Sequence, residues 1–289
     1  MSVWHQLFDF DDYGELLVLV RNSLVVGAAL GLVGGLAGVF VAMRDLPFAV
    51  HGISELSFAG ASAALLLGTN IVAGSITGSL LAAGAIGVLG TRARDRNSVI
   101  GILMPFGLGL GVLFLALYKG RAANKFGLLT GQIVAVDTPQ TAWLLATSAV
   151  VLTALVVMWR PLAFASADPD VAEARGVPVR GLSFAFMIVL GLAVALSVQV
   201  VGALLVLSLL ITPAAAAARV TASPVLLPLL SVVFSTASIE GGILLALGSS
   251  IPISPYVTTV SFAFYVVCGA VGRYRARRGG ARRAVPAPA

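Results

Sequence analysis

The chain has 289 residues, of which 59% are hydrophobic and only 10% charged, with a formal net charge of +6. A water-soluble domain carries about a quarter of its residues charged, so a chain this apolar cannot cover an aqueous surface and takes the bilayer as its solvent. Nor does the positive charge point to nucleic acid: six arginines lie between Arg273 and Arg283, just past the last apolar run, where basic residues act as topology signals and anionic-lipid contacts.

In chain order, residues 1–21 are acidic, with Asp9, Asp11, Asp12 and Glu15 where a cleavable signal would be basic, and read as an extracytoplasmic segment. Nine apolar runs follow, at about 22–43, 46–69, 71–90, 98–118, 139–159, 181–199, 201–218, 224–247 and 256–272. Each is compared with the roughly 20 residues that cross a hydrocarbon core. The second and third, and the sixth and seventh, are almost contiguous, so eight crossings plus a re-entrant piece fit the same pattern. The expected fold is an all-α polytopic membrane protein with a transmembrane domain over 22–272 and a basic tail over 273–289.

The positive-inside rule orients the spans. With nine crossings and the N-terminus outside, the inner segments hold Arg44, Arg92, Arg94, Arg96, Arg160, Arg175, Arg180, Arg219 and the six tail arginines, 14 of the 18 basic residues. In the first run Gly27, Gly31 and Gly35 recur four apart, the spacing at which helices approach closely in lipid. They serve packing within the bundle or, as the lesser expectation, a contact between copies.

One polar stretch interrupts the apolar sequence, Ala167-Asp-Pro-Asp-Val-Ala-Glu-Ala-Arg-Gly-Val-Pro-Val-Arg180. Acids at its start and a base near its end suit a helix dipole, and Gly176-Val-Pro stops it. It is a solvated loop or, favoured by its own start and stop signals, an inner docking helix at about 168–177.

Catalytic signatures are absent. There is no phosphate-binding G-x-x-x-x-G-K-[ST] loop and no H-E-x-x-H zinc pattern, and the histidines are only His5 and His51. The single cysteine, Cys268, lies within an apolar run and builds neither a disulfide framework nor a metal site. An enzyme is hard to assemble from this inventory, and no bound cofactor is expected. What remains is ionisable groups inside spans, where a carboxylate costs about 2.5–3.5 kcal/mol and calls for a reason. Glu55 follows His51 by one helical turn in the second run, Ser54 is beside it, Glu240 lies in the eighth, and Gln199 sits where the sixth meets the seventh. They line a cation pathway, or they tie helices together by hydrogen bonds.

At these residues the chain resembles the permease subunits of bacterial ABC importers for zinc, manganese and chelated iron. The resemblance runs from about Leu24 to Val271 and is carried by several stretches in order: Leu32–Arg44, Asn97–Ile102, Leu128–Val136, Asp170–Val179 and, most specifically, Val200-Val-Gly-Ala-Leu-Leu-Val-Leu-Ser-Leu-Leu-Ile-Thr-Pro-Ala-Ala-Ala-Ala217. It implies a permease working as a homodimer in the bacterial cytoplasmic membrane, with a separate ATP-binding subunit that uses the ATP and an extracytoplasmic substrate-binding protein. It also implies that the 168–177 helix, with Asp170, Glu173, Ala174, Arg175 and Gly176, couples to the ATPase. Where the family commonly has Ser-His-Ala-x-x-Pro-Gly, a suspected metal contact, this chain has Ser54-Glu-Leu-Ser-Phe-Ala-Gly60. Glu55 thus replaces a histidine, and as a harder ligand suits manganese or iron(II) at least as well as zinc; a cargo other than a free metal ion stays open. Glu55 and Glu240 are the expected metal contacts, with His51 and Ser54 along the pathway. The alternative is a secondary transporter coupled to protons at Glu55 or Glu240, without an ATPase.

Overall fold

A computed structural model describes residues 20–90, 93–120, 127–128, 131, 138–203, 206–247 and 252–281, with Gly14 and Leu17 as isolated positions. Eleven helices succeed one another: α1 (Arg21–Met43), α2 (Pro47–Leu67), α3 (Ile71–Leu89), α4 (Ala93–Leu117), α5 (Thr138–Ala167), α6 (Pro169–Ala174), α7 (Val179–Val201), α8 (Val206–Leu210), α9 (Thr212–Val220), α10 (Leu226–Leu247) and α11 (Ile253–Ala281). Among the described residues eight helices are long and apolar enough to cross a bilayer, and none of the described residues forms a strand.

The seventh apolar run is different. It is broken into α8 and α9, with Pro213 near the start of α9. Proline removes a backbone donor and favours a helix's first turn, which explains a restart there. The broken pair nevertheless traverses the bundle. Ser254 Oγ at the start of α11 donates to Val201 O at the end of α7 (2.7 Å), and Ser261 Oγ donates to Ser208 O (2.9 Å). Further along, Arg219 bonds to the Tyr265 hydroxyl and Arg275 Nη1 reaches Val220 O at 3.5 Å. The pair therefore runs parallel to α11 over about 20 residues, some 30 Å of helix rise. Among the described residues, eight long helices and one broken one make nine traverses, so Arg21 and Ala281 lie at opposite faces.

Backbone proximity holds the centre together. On α1, Gly27 faces Glu240 and Ile243, Gly31 faces Thr236, and Gly35 faces Val232 of α10, so the four-residue steps of two antiparallel helices mesh. A Cβ at Gly35 would land on the Val232 backbone. Ser231 Oγ closes the contact with a 2.7 Å bond to Gly35 O, in a medium where water offers no alternative. The glycine ladder thus serves packing within the chain. α2 sits between α3 and α4, and α7 leans on α3 and α5. By contrast α4, α5 and α11 turn large apolar side chains outward, among them Ile102, Phe106, Val157, Phe262 and Val267, as lipid-facing helices do.

Two boundaries differ from the sequence expectation. α5 continues past Trp159 and through Pro161 to Ala167, and α11 carries the first part of the basic tail, Arg273 to Arg278, as helix. His5, Arg92, Arg282, Arg283 and most of 128–136 lie outside the described residues.

Candidate functional site

The inserted polar stretch folds as a short helix with both ends capped. Asp168 Oδ1 accepts from Val171 N at 3.1 Å, and Pro169 occupies the first helical position. At the other end Gly176 adopts φ +83°; its N–H donates to Glu173 O (2.9 Å) and that of Val177 to Ala172 O (3.0 Å). This is a Schellman ending, which favours glycine because a side chain is disfavoured at positive φ. Asp170, Glu173, Ala174, Arg175 and Gly176 are all exposed, while Ala172 is buried against the bundle. The helix is anchored on one side and open on the other.

Behind it lies a hub that the sequence reading treated only as a topology signal. Arg44, in the corner between α1 and α2, donates from Nε to Ser166 Oγ (2.7 Å) and from Nη1 to Ser183 Oγ (2.9 Å). Its guanidinium lies 5.7 Å from the Phe186 ring centroid. Phe40 meets Phe186 and Trp159 edge-on, with centroids 5.8 and 4.7 Å away. One cation thereby joins the ends of α1, α5 and α7, the last two being the helices that flank α6. Burial first, and the charge of Arg96 second, lower the Arg44 pKa from its ordinary value. The sequence signal for the hub was slight: an arginine in a very short corner, Arg44-Asp-Leu-Pro47, ahead of a new span.

From this corner α2 runs into the membrane carrying His51 and Glu55. Their side chains share a face, with Nδ1 and Oε1 3.8 Å apart. Glu55 is 4% exposed; its Oε2 and the His51 Nδ1 are shut off from solvent with no hydrogen-bond partner. Ser54, fully buried, donates to the His51 carbonyl at 2.8 Å, so its proton is committed to the helix backbone. Gly107 of α4 lies directly over the backbone at Glu55, where a side chain would not fit.

Glu240 stands elsewhere. It is half-buried on α10 against Gly27 of α1, and its Oε1 also lacks a partner. Measured from the helix ends on the α6 side, Glu55 is about 12 Å up α2 and Glu240 about 21 Å up α10. The structure therefore brings His51, Ser54 and Glu55 together and leaves Glu240 on another helix pair at another depth. Among the described residues no three His, Cys, Asp or Glu side chains converge as a metal site. Gln199 reaches the Ile71 carbonyl at 3.5 Å and links α7 to α3.

A helical bundle of nine traverses among the described residues, with a capped polar helix on one face and a buried carboxylate within, is a multi-pass membrane protein. Residues 17–272 match the ABC 3 transport family. The manganese import system permease protein ScaB of Streptococcus parasanguinis is 30% identical over 72% of this chain and 75% of its own length. The high-affinity zinc uptake system membrane protein ZnuB of Haemophilus influenzae is 27% identical over 85% of this chain and 94% of its own. The structure of PsaBC from Streptococcus pneumoniae in complex with Fab superposes with a TM-score of 0.79 at 25% identity, covering 90% of this chain and 95% of that one. The chain belongs to the ABC 3 transport family: it is a membrane-spanning permease subunit of an ABC transporter system.

Proposed function

We propose that this chain moves a divalent metal ion (manganese, iron(II) or zinc) inward across a bacterial cytoplasmic membrane, as half of a homodimer with two ATPase subunits and an extracytoplasmic substrate-binding protein. ATP is bound and hydrolysed on the partner chain, and this one holds no cofactor. The observation that carries the cation assignment is Glu55, a carboxylate buried at mid-span with an unpartnered oxygen and an imidazole beside it. Such a group calls for a reason, and a dication leaving water supplies one.

Two copies across a symmetry axis bring two carboxylates and two imidazoles to one level, a set that the single chain lacks. Glu240 adds negative charge further along the pathway. Binding is transient, since an ion held tightly is not released. The ATPases pull on α6; the displacement passes to the ends of α5 and α7, from there through Ser166 and Ser183 to Arg44, and so to the start of α2. The N-terminus is outside and the C-terminus inside, an orientation supported by the gathering of Arg44, Arg96, Arg160, Arg175, Arg180, Arg219 and the α11 arginines toward the α6 face.

The relatives named for manganese and zinc uptake support the cargo, and the harder carboxylate at position 55 favours manganese or iron(II). The test is uptake into proteoliposomes. Manganese must accumulate only when ATPase and binding protein are reconstituted with the chain; accumulation by the chain alone along a proton gradient would establish a secondary transporter instead.

A further inference from the structure

A cavity of about 730 Å³ opens on the α6 face between the α1–α2 corner, the end of α3, the start of α4 and the start of α7. Its lining includes three guanidinium groups, Arg44, Arg96 and Arg180, and one carboxylate, Asp45. Among the described residues none of these four makes an ion pair. Arg44 and Arg96 are close enough for each to feel the other's charge. Arg96 Nε is shut off from solvent with no acceptor. A buried donor without a partner costs on the order of 1–3 kcal/mol, more when charged, so two converging cations around one orphaned donor describe a site built for an anion.

The rest of the wall identifies the kind of anion. Met43, Ile86, Phe184 and Met187 line the same cavity, and Met43 and Phe184 are 45% and 41% exposed. A soluble anion gains nothing from such a wall. An amphiphile uses both parts: its phosphate meets the guanidiniums, and its glycerol and upper acyl carbons cover the methionine and phenylalanine side chains. The cavity also lies where helices end, at headgroup depth, the level at which basic pockets between membrane helices take anionic lipid.

We infer that this cavity binds the headgroup of one anionic phospholipid per chain, the phosphate between Arg44, Arg96 and Arg180, and so ties the lipid to the corner that joins α6 to α2. The inference rests on the cavity and does not depend on which metal, or whether a metal, is carried.

The test uses the full-length chain, purified in mild detergent with the subunits that remain bound, then delipidated. Titration with phosphatidylglycerol, phosphatidylcholine or inorganic phosphate is followed by native mass spectrometry and by the unfolding temperature. One phosphatidylglycerol per chain is expected to bind and raise the unfolding temperature, with phosphatidylcholine and millimolar phosphate doing neither. Arg96→Gln with Arg180→Gln should weaken binding roughly thirtyfold, and Arg180→Gln alone, at an exposed position whose loss leaves the fold intact, roughly fivefold, with Arg180→Lys restoring most of it. Equal binding of phosphatidylcholine, displacement by inorganic phosphate, or unchanged affinity in Arg180→Gln would each overturn the assignment.

Discussion

At the scale of single residues, α2 carries the most deeply buried carboxylate among the described residues. Glu55 is almost fully buried and, among the described residues, faces only His51 within ion-pair range, while the neighbouring serine's proton is spent on the backbone. A structural carboxylate would have its oxygens satisfied by neighbouring donors; this one has an orphan oxygen. Glu55→Gln keeps the shape and removes the charge, and uptake of manganese, iron(II) and zinc should fall about tenfold or more, since a carboxylate that offsets a dication is worth well over 1.4 kcal/mol. Glu55→His supplies the imidazole that the family resemblance implies at this position and should keep measurable uptake, shifted toward zinc. Normal accumulation of all three metals in cells carrying Glu55→Gln with Glu240→Gln would show that both carboxylates are structural and turn attention to a non-metal cargo.

At the scale of elements, two contacts decide different things. The α1–α10 ladder decides stability. Gly35 abuts the Val232 backbone, while Gly27 abuts side-chain atoms alone, those of Glu240, Ile243 and Ile239, which give way more cheaply than backbone. Gly35→Ala should therefore lower the unfolding temperature far more than Gly27→Ala, with a cost of about 1–3 kcal/mol or above for the former; equal shifts would mean that the two helices separate readily. The α6 cap decides coupling. Gly176→Pro removes the N–H that bonds to Glu173 O and demands a negative φ where the chain holds +83°. Glu173→Arg reverses an exposed charge without touching the bundle. Both variants should insert normally, lose transport, and leave ATP hydrolysis by the assembled complex uncoupled from substrate. Full substrate-stimulated ATPase activity with both changes present would remove α6 from the coupling path.

At the scale of the whole molecule, parity is the informative quantity. Nine traverses among the described residues, one of them the broken α8–α9 pair along α11, place Arg21 and Ala281 on opposite faces. A reporter fused after Ala289 should be cytoplasmic, and a tag ahead of Trp4 should be reached by a membrane-impermeant reagent on intact cells. Finding both ends on one side would mean that the broken pair turns back within the membrane. The seventh run alone carries this ambiguity: its halves have 5 and 9 helical residues, too few apiece to span a bilayer.

Much of this architecture was legible in the amino-acid order because lipid imposes one-dimensional rules: run length sets a crossing, arginine placement sets its sense, and Asp168, Pro169 and Gly176 mark where a polar helix starts and stops. Those are properties of a segment and its solvent, so they need no knowledge of neighbours. The sequence also flagged Glu55 and Glu240, since a carboxylate among apolar residues is conspicuous anywhere. Only the tertiary structure could decide what such residues face. It set His51 and Glu55 on one buried face and put Glu240 nearly two helical turns away in depth on another helix pair. It turned Arg44 from one more inner-face cation into the tie between α1, α5 and α7, and extended α5 and α11 beyond their apolar runs. Each of these depends on the register between helices far apart in the chain. In lipid that register is set by small-residue contacts such as Gly35 on Val232, where the four-residue glycine spacing marks a packing face but not its partner, and by single hydrogen bonds such as Ser231 to Gly35, which leave no periodic mark in the sequence.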